Sequence, residues 1–220
     1  MHNKPKVLSL FSGVGSFEKA LAYATDYEIV AFSEIDTRAI KAYSTIHKID
    51  ESLNLGDIKN IVPQTIPDFD IMTYGFPCTD ISIAGKQEGL SGKESGLLWD
   101  AMHIAKHKRP PLMIAENVKN LVGKRFYRDF QNWLFHLKSL GYYNSWAILN
   151  VSDYGLPQNR ERVFIISSLE QKYGFPQPTG TSKVLRDIME TGVDQKYSID
   201  PDKVLPMIKE KDPCAFVQGG

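Results

Sequence analysis

A cysteine and a glutamate each follow a short apolar segment, and these two residue types can act together in covalent chemistry. Cys78 lies just after the apolar run 69–74, and Glu116 comes directly after a second apolar run, 112–115. In open α/β sheets, ligands bind beyond the carboxyl ends of the strands, so both side chains are predicted to reach one cleft. A thiol nucleophile beside a carboxyl proton donor suits covalent attack on an electron-poor ring.

Each of these residues also has a purely structural interpretation. A free cysteine is usually a small buried hydrophobe, and Glu116 next to Asn117 is equally compatible with a structural ion pair. Further along the chain, strand alternation places Arg160 and Arg162 on one face and Glu161 on the other. Two guanidinium groups facing a cleft can bind a carbonyl oxygen and hold a carboxylate in place. The alternative is an edge strand with solvated charges.

Apolar runs and helical periodicity alternate along most of the chain. Strands are predicted at 7–10, 27–33, 70–74, 112–115, 146–150 and 162–167, and helices at 16–24, 37–47, 97–106 and 128–140. Ser16 is predicted to be the N-cap of the first helix. The alternation indicates an α/β fold with a Rossmann-like, doubly wound, mostly parallel sheet. After Ser168 only one helix is predicted, at 183–190, so we expect a catalytic and cofactor-binding domain at 1–168 and a smaller region at 169–220.

Composition excludes several classes of protein. The 220 residues carry 26 basic and 26 acidic side chains, so no global field attracts polyanions and any contact with nucleic acid must be local. The two cysteines, Cys78 and Cys214, lie too far apart to suggest a disulfide framework or a zinc site, and a reducing cytoplasm fits. The N-terminus is short and polar, and no apolar run is long enough to span a bilayer, so neither a signal peptide nor a membrane partner is expected.

The turn at residues 11–15 has the composition of a ligand-binding turn between a strand and a helix. Its glycines let a ligand approach the backbone, and the N-terminus of a helix favours a negative group. Glu34 follows the second strand roughly 20 residues later, where an acid commonly binds ribose hydroxyls. Asp57 offers an acceptor for an adenine amino group. The alternatives are a tight turn, a helix-capping acid and a turn aspartate.

In this order, the segments together resemble the DNA cytosine-5 methyltransferase family, of bacterial or phage type. The matching segments are 11–15, Glu34, 56–58, 75–78, 116–118 and 158–162, which extend over about residues 5–170. No single segment is decisive, but the ordered set is specific. The resemblance implies S-adenosylmethionine as methyl donor, S-adenosylhomocysteine as product, no metal, and a cytosine flipped out of double-stranded DNA as acceptor.

The resemblance also implies roles for individual residues. Cys78 would be the nucleophile at C6 of the base, and Glu116 would hold the ring nitrogen N3 and the exocyclic amine. Arg162 would reach O2, with Arg160 in support. The implied cofactor-binding residues are Phe11, Gly13, Gly15, Glu34, Ile35, Asp57, Ile58, Gly75, Pro77 and Leu97, and the implied DNA-binding residues are Ser82 and Lys86.

The sequence departs from the family pattern at three places. Ile35 stands where the family often has an aromatic residue, and it would give apolar cover to the adenine but no ring stacking. Thr79 follows the Pro-Cys pair where the family usually has glutamine, and residues 169–220 resemble only the start of a target recognition domain. We therefore expect a chain truncated before the end of that domain, either a fragment or one part of a split enzyme that needs a second polypeptide. The alternative is a module that binds the cofactor or a partner without efficient catalysis.

The sequence is also compatible with two other substrates, transfer RNA and a small molecule. A transfer RNA cytosine-5 methyltransferase would share the same motifs, whereas a generic Rossmann-like methyltransferase for small molecules would need no Cys-Glu pair. The short N-terminus is typical of a prokaryotic or phage protein, which predicts a cytoplasmic location and a restriction-modification context.

Overall fold

The computed structural model describes residues 4–77, 90, 95–180 and 183–197, together with residues 200 and 202. The chain divides into two compact units, Met1–Thr181 and Ser182–Gly220. The first unit holds every strand and α-helix named below. None of the described helices is long and apolar enough to cross a membrane.

Six strands form one sheet in the order β2-β1-β3-β4-β6-β5. The strands are β1 (Lys6–Leu10), β2 (Glu28–Ser33), β3 (Ile71–Tyr74), β4 (Leu112–Val118), β5 (Tyr143–Asn150) and β6 (Glu161–Ser168). Neighbouring strands from β2 to β4 are parallel, whereas β6 runs antiparallel to both β4 and β5. The predicted mostly parallel, Rossmann-like α/β sheet is therefore confirmed, with one reversed strand. The order of connection reverses between β1 and β3, which is the switch point where such sheets place ligands.

Four α-helices connect or flank these strands: α1 (Ser16–Ala24), α2 (Thr37–His47), α3 (Leu98–Lys108) and α4 (Tyr127–Ser139). The prediction that Ser16 is the N-cap of α1 is wrong. Gly15 takes that place in the left-handed conformation, with φ 82°, and Ser16 is the first helical residue. The residue at the cap must turn the chain sharply there, and glycine does so without the steric cost of a Cβ.

Buried side chains of α4 pack against the end of β3, which leads to the predicted site. The α4 side chains Phe130 and Trp133 are fully buried, and the Trp133 ring packs edge-on against Tyr74 and Phe76, with ring centroids 6.1 and 5.5 Å away. Aromatic contacts of this kind stabilise a well-defined geometry beyond simple burial. The end of β3 and the residues just after it are thereby held against α4.

Two strands are longer than predicted by three residues, and one predicted helix is wrong. Strand β5 begins at Tyr143 and not at residue 146. Strand β4 continues to Val118, because its last residues pair with β6 (Glu116 with Phe164, Val118 with Arg162), so Glu116 lies within the strand and not beyond it. The helix predicted at 183–190 is wrong, since only a single 3-10 turn, Leu185–Ile188, forms there. None of its residues is buried, and a helix this short needs a packed face to be stable.

Residues 169–180, which follow β6, belong to the first unit. The N–H groups of Thr179 and Gly180 both donate to the Asp153 carbonyl, each at 2.9 Å, and the Tyr154 hydroxyl donates to the Pro176 carbonyl at 3.0 Å. Residues up to about 180 thus bond to the unit that holds the sheet. The functional boundary expected at residue 168 stays a prediction.

Candidate active site

A pocket of about 310 Å³, here called the Glu34 pocket, opens beyond the carboxyl ends of β1, β2 and β3. Its position coincides with the switch point of the sheet. Apart from Ser33, all of its lining residues are ones that the resemblance implies for cofactor binding. The lining consists of Phe11, Ser33, Glu34, Ile35, Asp57, Ile58, Gly75, Pro77 and Leu97.

The Glu34 carboxylate is held in one orientation by backbone donors. Its Oε2 accepts from the Gly13 N–H at 2.8 Å, and its Oε1 accepts from the N–H groups of Ile35 and Asp36 at 2.8 and 3.0 Å. Gly13 therefore contributes by orienting Glu34, although it is not part of the pocket lining. The turn 11–15 and the end of β2 form one hydrogen-bonded unit.

Gly15 is required for packing. A Cβ at this position would overlap the His47 ring and lie 2.8 Å from Cε2 of Tyr43. Phe11, at the other end of the turn, has φ 54°, which is uncommon for a residue with a side chain. Strained residues of this kind concentrate at ligand sites, and Phe11 lines the Glu34 pocket.

The opposite wall of the pocket is formed by a short turn. Asp57 caps the 3-10 turn Ile58–Asn60, with its Oδ1 accepting from the Lys59 N–H at 3.0 Å. Asp57 therefore caps the turn, as the structural alternative predicted, and it also lines the pocket. Ser33, which sequence reasoning missed, donates from Oγ to the Gly56 carbonyl at 2.7 Å and joins the two walls. Nothing in its sequence context distinguishes it from other strand-end serines.

A second cavity, of about 530 Å³, contains the predicted acid and both arginines, and we call it the Glu116 cavity. Glu116 Oε1 pairs with Arg162 Nε at 2.8 Å. Glu161 points elsewhere and pairs with Lys119 at 2.8 Å, as strand alternation predicted. The lining consists of Ser16, Phe17, Ala20, Glu116, Leu149, Asn150, Val151, Tyr154, Leu156, Arg160, Arg162 and Phe164.

The Glu116 carboxyl group also borders the Glu34 pocket. A Cβ at Gly75, which lines that pocket, would lie 3.7 Å from Glu116 Oε2. Burial raises the pKa of Glu116, and the nearby Arg162 and Arg160 oppose this rise. A carboxyl group in this environment can carry a proton closer to neutral pH than an exposed glutamic acid does.

Asn117 is a further residue that sequence reasoning did not assign. Its buried side chain donates from Nδ2 to the Phe76 carbonyl at 3.1 Å and accepts at Oδ1 from the Val118 N–H at 2.8 Å. It therefore ties β4 to the backbone that leads into Pro77 and Cys78. The hydrogen bond joins residues 41 positions apart in the sequence, and no local sequence pattern predicts it.

Three predicted site residues, Cys78, Ser82 and Lys86, lie outside the described residues. Pro77, directly before the cysteine, lines the Glu34 pocket. Within the described part of the chain, no group of three or more histidine, cysteine, aspartate or glutamate side chains is arranged to hold a metal ion.

Known proteins similar to this chain were found by sequence and by structure. A type II methyltransferase of Lactococcus lactis subsp. cremoris, M2.ScrFI, is 37% identical over 256 aligned positions, which cover 90% of this chain and 71% of that protein. The orphan methyltransferase M.SPRI of Bacillus phage SPR is 32% identical, and the match covers 94% of this chain and 55% of that protein. The chain thus spans only part of the length of these relatives.

The fold also resembles solved methyltransferase structures. The crystal structure of the S. pombe Dnmt2 methyltransferase superposes with a TM-score of 0.72 at 21% identity, covering 94% of this chain and 66% of that one. The family profile described as C-5 cytosine-specific DNA methylase matches residues 5–215. A match over nearly the whole chain, together with the sheet order and the two adjoining pockets, places this protein in the C-5 cytosine-specific DNA methylase family.

Proposed function

We propose that this chain transfers a methyl group from S-adenosylmethionine to C5 of a cytosine flipped out of double-stranded DNA, using Cys78 as nucleophile. The observation that carries the proposal is the position of Glu116, which pairs with Arg162 at 2.8 Å in one cavity and lies next to Gly75 of the other pocket. One pocket then receives the methyl donor and the other the base. The acid lies where the two reactants would meet.

The Glu34 pocket fits an adenosine-bearing cofactor. The fixed Glu34 carboxylate offers acceptors for ribose hydroxyls, Asp57 offers one for the adenine amino group, and Ile35 and Ile58 provide apolar cover for the ring. When bound, S-adenosylmethionine supplies an electrophilic methyl group attached to a sulfonium. Pro77 and Gly75 border the part of the pocket next to Glu116.

Glu116 and the arginines prepare the base for attack. C5 of cytosine is a poor nucleophile, and it becomes reactive when a thiolate adds to C6 and the ring accepts the electron pair. A protonated Glu116, favoured by its burial, donates to N3 and neutralises the charge that develops there. Arg162 holds Glu116 in place and reaches O2, and Arg160 lines the same cavity.

Besides DNA and the methyl donor, the covalent step needs only a base that accepts the C5 proton. The Cys78 thiolate would add to C6, and C5 would take the methyl group as its bond to the sulfonium sulfur breaks and S-adenosylhomocysteine leaves. Loss of the C5 proton to a base returns the electron pair that expels the thiolate. A free thiol is only a few per cent ionised at neutral pH, so Cys78 must lose its proton before or during attack.

DNA would approach the carboxyl edge of the sheet, where Ser82 and Lys86 are expected to meet its backbone. Arg128 lies in the first turn of α4, which begins at that edge because α4 follows the carboxyl end of β4. Lys138 lies in the last turn of the same helix, at the opposite edge, because α4 leads back to the start of β5. Both side chains are exposed, so Arg128 but not Lys138 is placed to contact phosphates. The reaction would take place in the cytoplasm of a prokaryotic or phage-infected cell.

Transfer of a tritiated methyl group tests the proposal. With labelled S-adenosylmethionine, the wild-type chain is assayed with and without a polypeptide that supplies the rest of the recognition domain, and it is expected to label double-stranded DNA when that polypeptide is present. Cys78→Ser is expected to label none, while binding the cofactor as tightly as the wild type does. Equal labelling by wild type and Cys78→Ser would refute the assignment of the nucleophile, and labelling of transfer RNA alone would refute DNA as the substrate.

A further inference from the structure

Asn54 lies just outside the Glu34 pocket, at a place where a loop briefly joins the sheet. It follows the 3-10 turn Glu51–Leu53 and forms an isolated parallel bridge with Phe32 of β2. The next N–H, of Leu55, donates to the Phe32 carbonyl at 2.7 Å. The backbone around Asn54 is thus fixed against the strand that ends one residue before Glu34.

The Asn54 side chain uses both halves of its amide on the backbone of the pocket. Its Nδ2 donates to the Glu34 carbonyl at 3.1 Å, and its Oδ1 accepts from the Glu34 N–H at 3.1 Å. The same Oδ1 accepts from the Gly56 N–H at 3.1 Å. One side chain therefore pairs with Glu34 as a neighbouring strand would, and simultaneously holds the residue before Asp57.

These bonds connect the two walls of the pocket. Glu34 and Ile35 belong to one wall, and Asp57 and Ile58, which follow Gly56, belong to the other. Strand β2 ends at Ser33, so no neighbouring strand pairs with the Glu34 backbone beyond it. The Asn54 amide supplies that missing pairing.

We propose that Asn54 is a positioning residue of the cofactor site, which sets the Glu34 carboxylate at the distance from Asp57 that the nucleoside of the cofactor requires. This inference rests on the proposed function, because it assumes that Glu34 binds the ribose hydroxyls. Asn54 acts through Glu34 and Gly56 and touches no reacting atom. Its contribution belongs to cofactor affinity, with methyl transfer affected only through occupancy.

Asparagine is the residue type that this role demands. Its amide carries a donor and an acceptor on a short side chain, and both are used here. Aspartate would keep the acceptor for the two N–H groups. It would, however, replace the donor that faces the Glu34 carbonyl with an oxygen, and it would add a negative charge near the Glu34 carboxylate. Asn54→Asp should therefore retain the fold while perturbing the pocket.

The test measures binding of S-adenosylhomocysteine by calorimetry to the full 220-residue chain. Asn54→Ala is expected to weaken binding about tenfold, since the three hydrogen bonds to the backbone of Glu34 and Gly56 are lost and the Glu34 carboxylate is no longer held in position. The matched control is Asn132→Ala, which changes an exposed asparagine of α4 that lines neither pocket and should leave the affinity unchanged. Circular dichroism and thermal melting establish that each variant is folded.

A double-mutant comparison separates positioning from general destabilisation. Asn54→Ala in a Glu34→Gln background is expected to add little further loss, and its effect should also shrink for an analogue that lacks both ribose hydroxyls. Equal affinity of wild type and Asn54→Ala, or fully additive losses in the double variant, would overturn the inference. If Asn54→Ala does not fold, the same affinities are measured for Asn54→Asp, alone and in the Glu34→Gln background, and the same outcomes decide.

Failure of the proposed function gives a different result. If the wild-type chain binds no S-adenosylhomocysteine at all, the Glu34 pocket is not the cofactor site, and both the proposed function and the role of Asn54 are refuted. If the wild type binds and Asn54→Ala binds equally well, only the role of Asn54 is refuted.

Discussion

Replacing Gly15 by alanine tests whether that glycine serves a ligand or the packing of the protein. At φ 82° an alanine adopts the left-handed conformation at a cost of about 1–2 kcal/mol. The added Cβ overlaps the His47 ring and lies 2.8 Å from Tyr43, which is fully buried and stacked on Phe32. His47 must then move and lose its hydrogen bond to the Val14 carbonyl, now 3.2 Å long, worth about 1 kcal/mol.

Overpacking adds a further ~1–3 kcal/mol, so the structure predicts a total destabilisation of about 3–6 kcal/mol for Gly15→Ala. In a protein of this size each kcal/mol lowers the melting temperature by about 2–4 °C, so a fall of roughly 6–24 °C is expected in a thermal melt. Gly13→Ala is the matched control. It has φ 54° but no atom within 4 Å of the new Cβ, and should cost only about 1–2 kcal/mol.

Removing the obstructing ring should restore part of the stability. The double variant Gly15→Ala, His47→Ala is expected to lose less melting temperature than the two single variants lose together, because the overlap with His47 is relieved. Equal melting temperatures for Gly15→Ala and Gly13→Ala would refute the packing argument. A large loss of cofactor affinity for Gly15→Ala without any change in melting temperature would assign Gly15 to the ligand instead.

Three further predictions concern the active site. Because burial raises the pKa of Glu116, the charge on this group opposes folding, and the stability of the wild type relative to Glu116→Gln should fall as the pH is raised from about 4 to about 7 in urea titrations. Asn117→Ala should lower kcat at least tenfold while reducing stability by only about 2 kcal/mol, since it frees the Phe76 backbone before Cys78. Arg128→Gln should weaken DNA binding and reduce the slope of log K against log salt by about one, whereas Lys138→Gln should change neither.

Each of these has a contrary outcome. A stability difference that rises with pH would mean that Glu116 is stabilised as the anion, by Arg162, more than it is destabilised by burial. If the loss of kcat in Asn117→Ala is fully explained by the smaller fraction of folded protein, Asn117 has no positioning role. Equal salt slopes for Arg128→Gln and Lys138→Gln would remove α4 from the DNA interface.

The sequence predicted the sheet because apolar runs and helical spacing are local signals. It also predicted that Arg160 and Arg162 share a face, because alternation in a strand is a fixed property of the backbone. The length of β4 was underestimated, since Glu116 and Asn117 are polar and interrupt the apolar run, and the end of the strand forms by pairing with β6. The helix at 183–190 was predicted from local propensity, and it failed because no core covers it.

The site residues that sequence reasoning missed share one physical reason. Asn117 bonds to a backbone 41 residues away, and Asn54 bonds to one 20 residues away. Such hydrogen bonds depend on how the strands are ordered in the sheet, which a single sequence does not reveal. Glu34 was singled out because an acid just after a strand is a local signal, whereas Leu97 was named only because the family resemblance carried information about the assembled pocket.

Covalent trapping tests the central chemical claim most directly. The chain is incubated with S-adenosylmethionine and double-stranded DNA that carries 5-fluorocytosine in place of cytosine, and the product is analysed by denaturing electrophoresis and mass spectrometry. Fluorine at C5 blocks the final elimination, so a stable protein–DNA adduct attached through Cys78 is expected, with none for Cys78→Ser and far less for Glu116→Gln. An adduct that forms equally well without the Cys78 thiol, or none with a wild-type chain that binds both cofactor and DNA, would contradict the account.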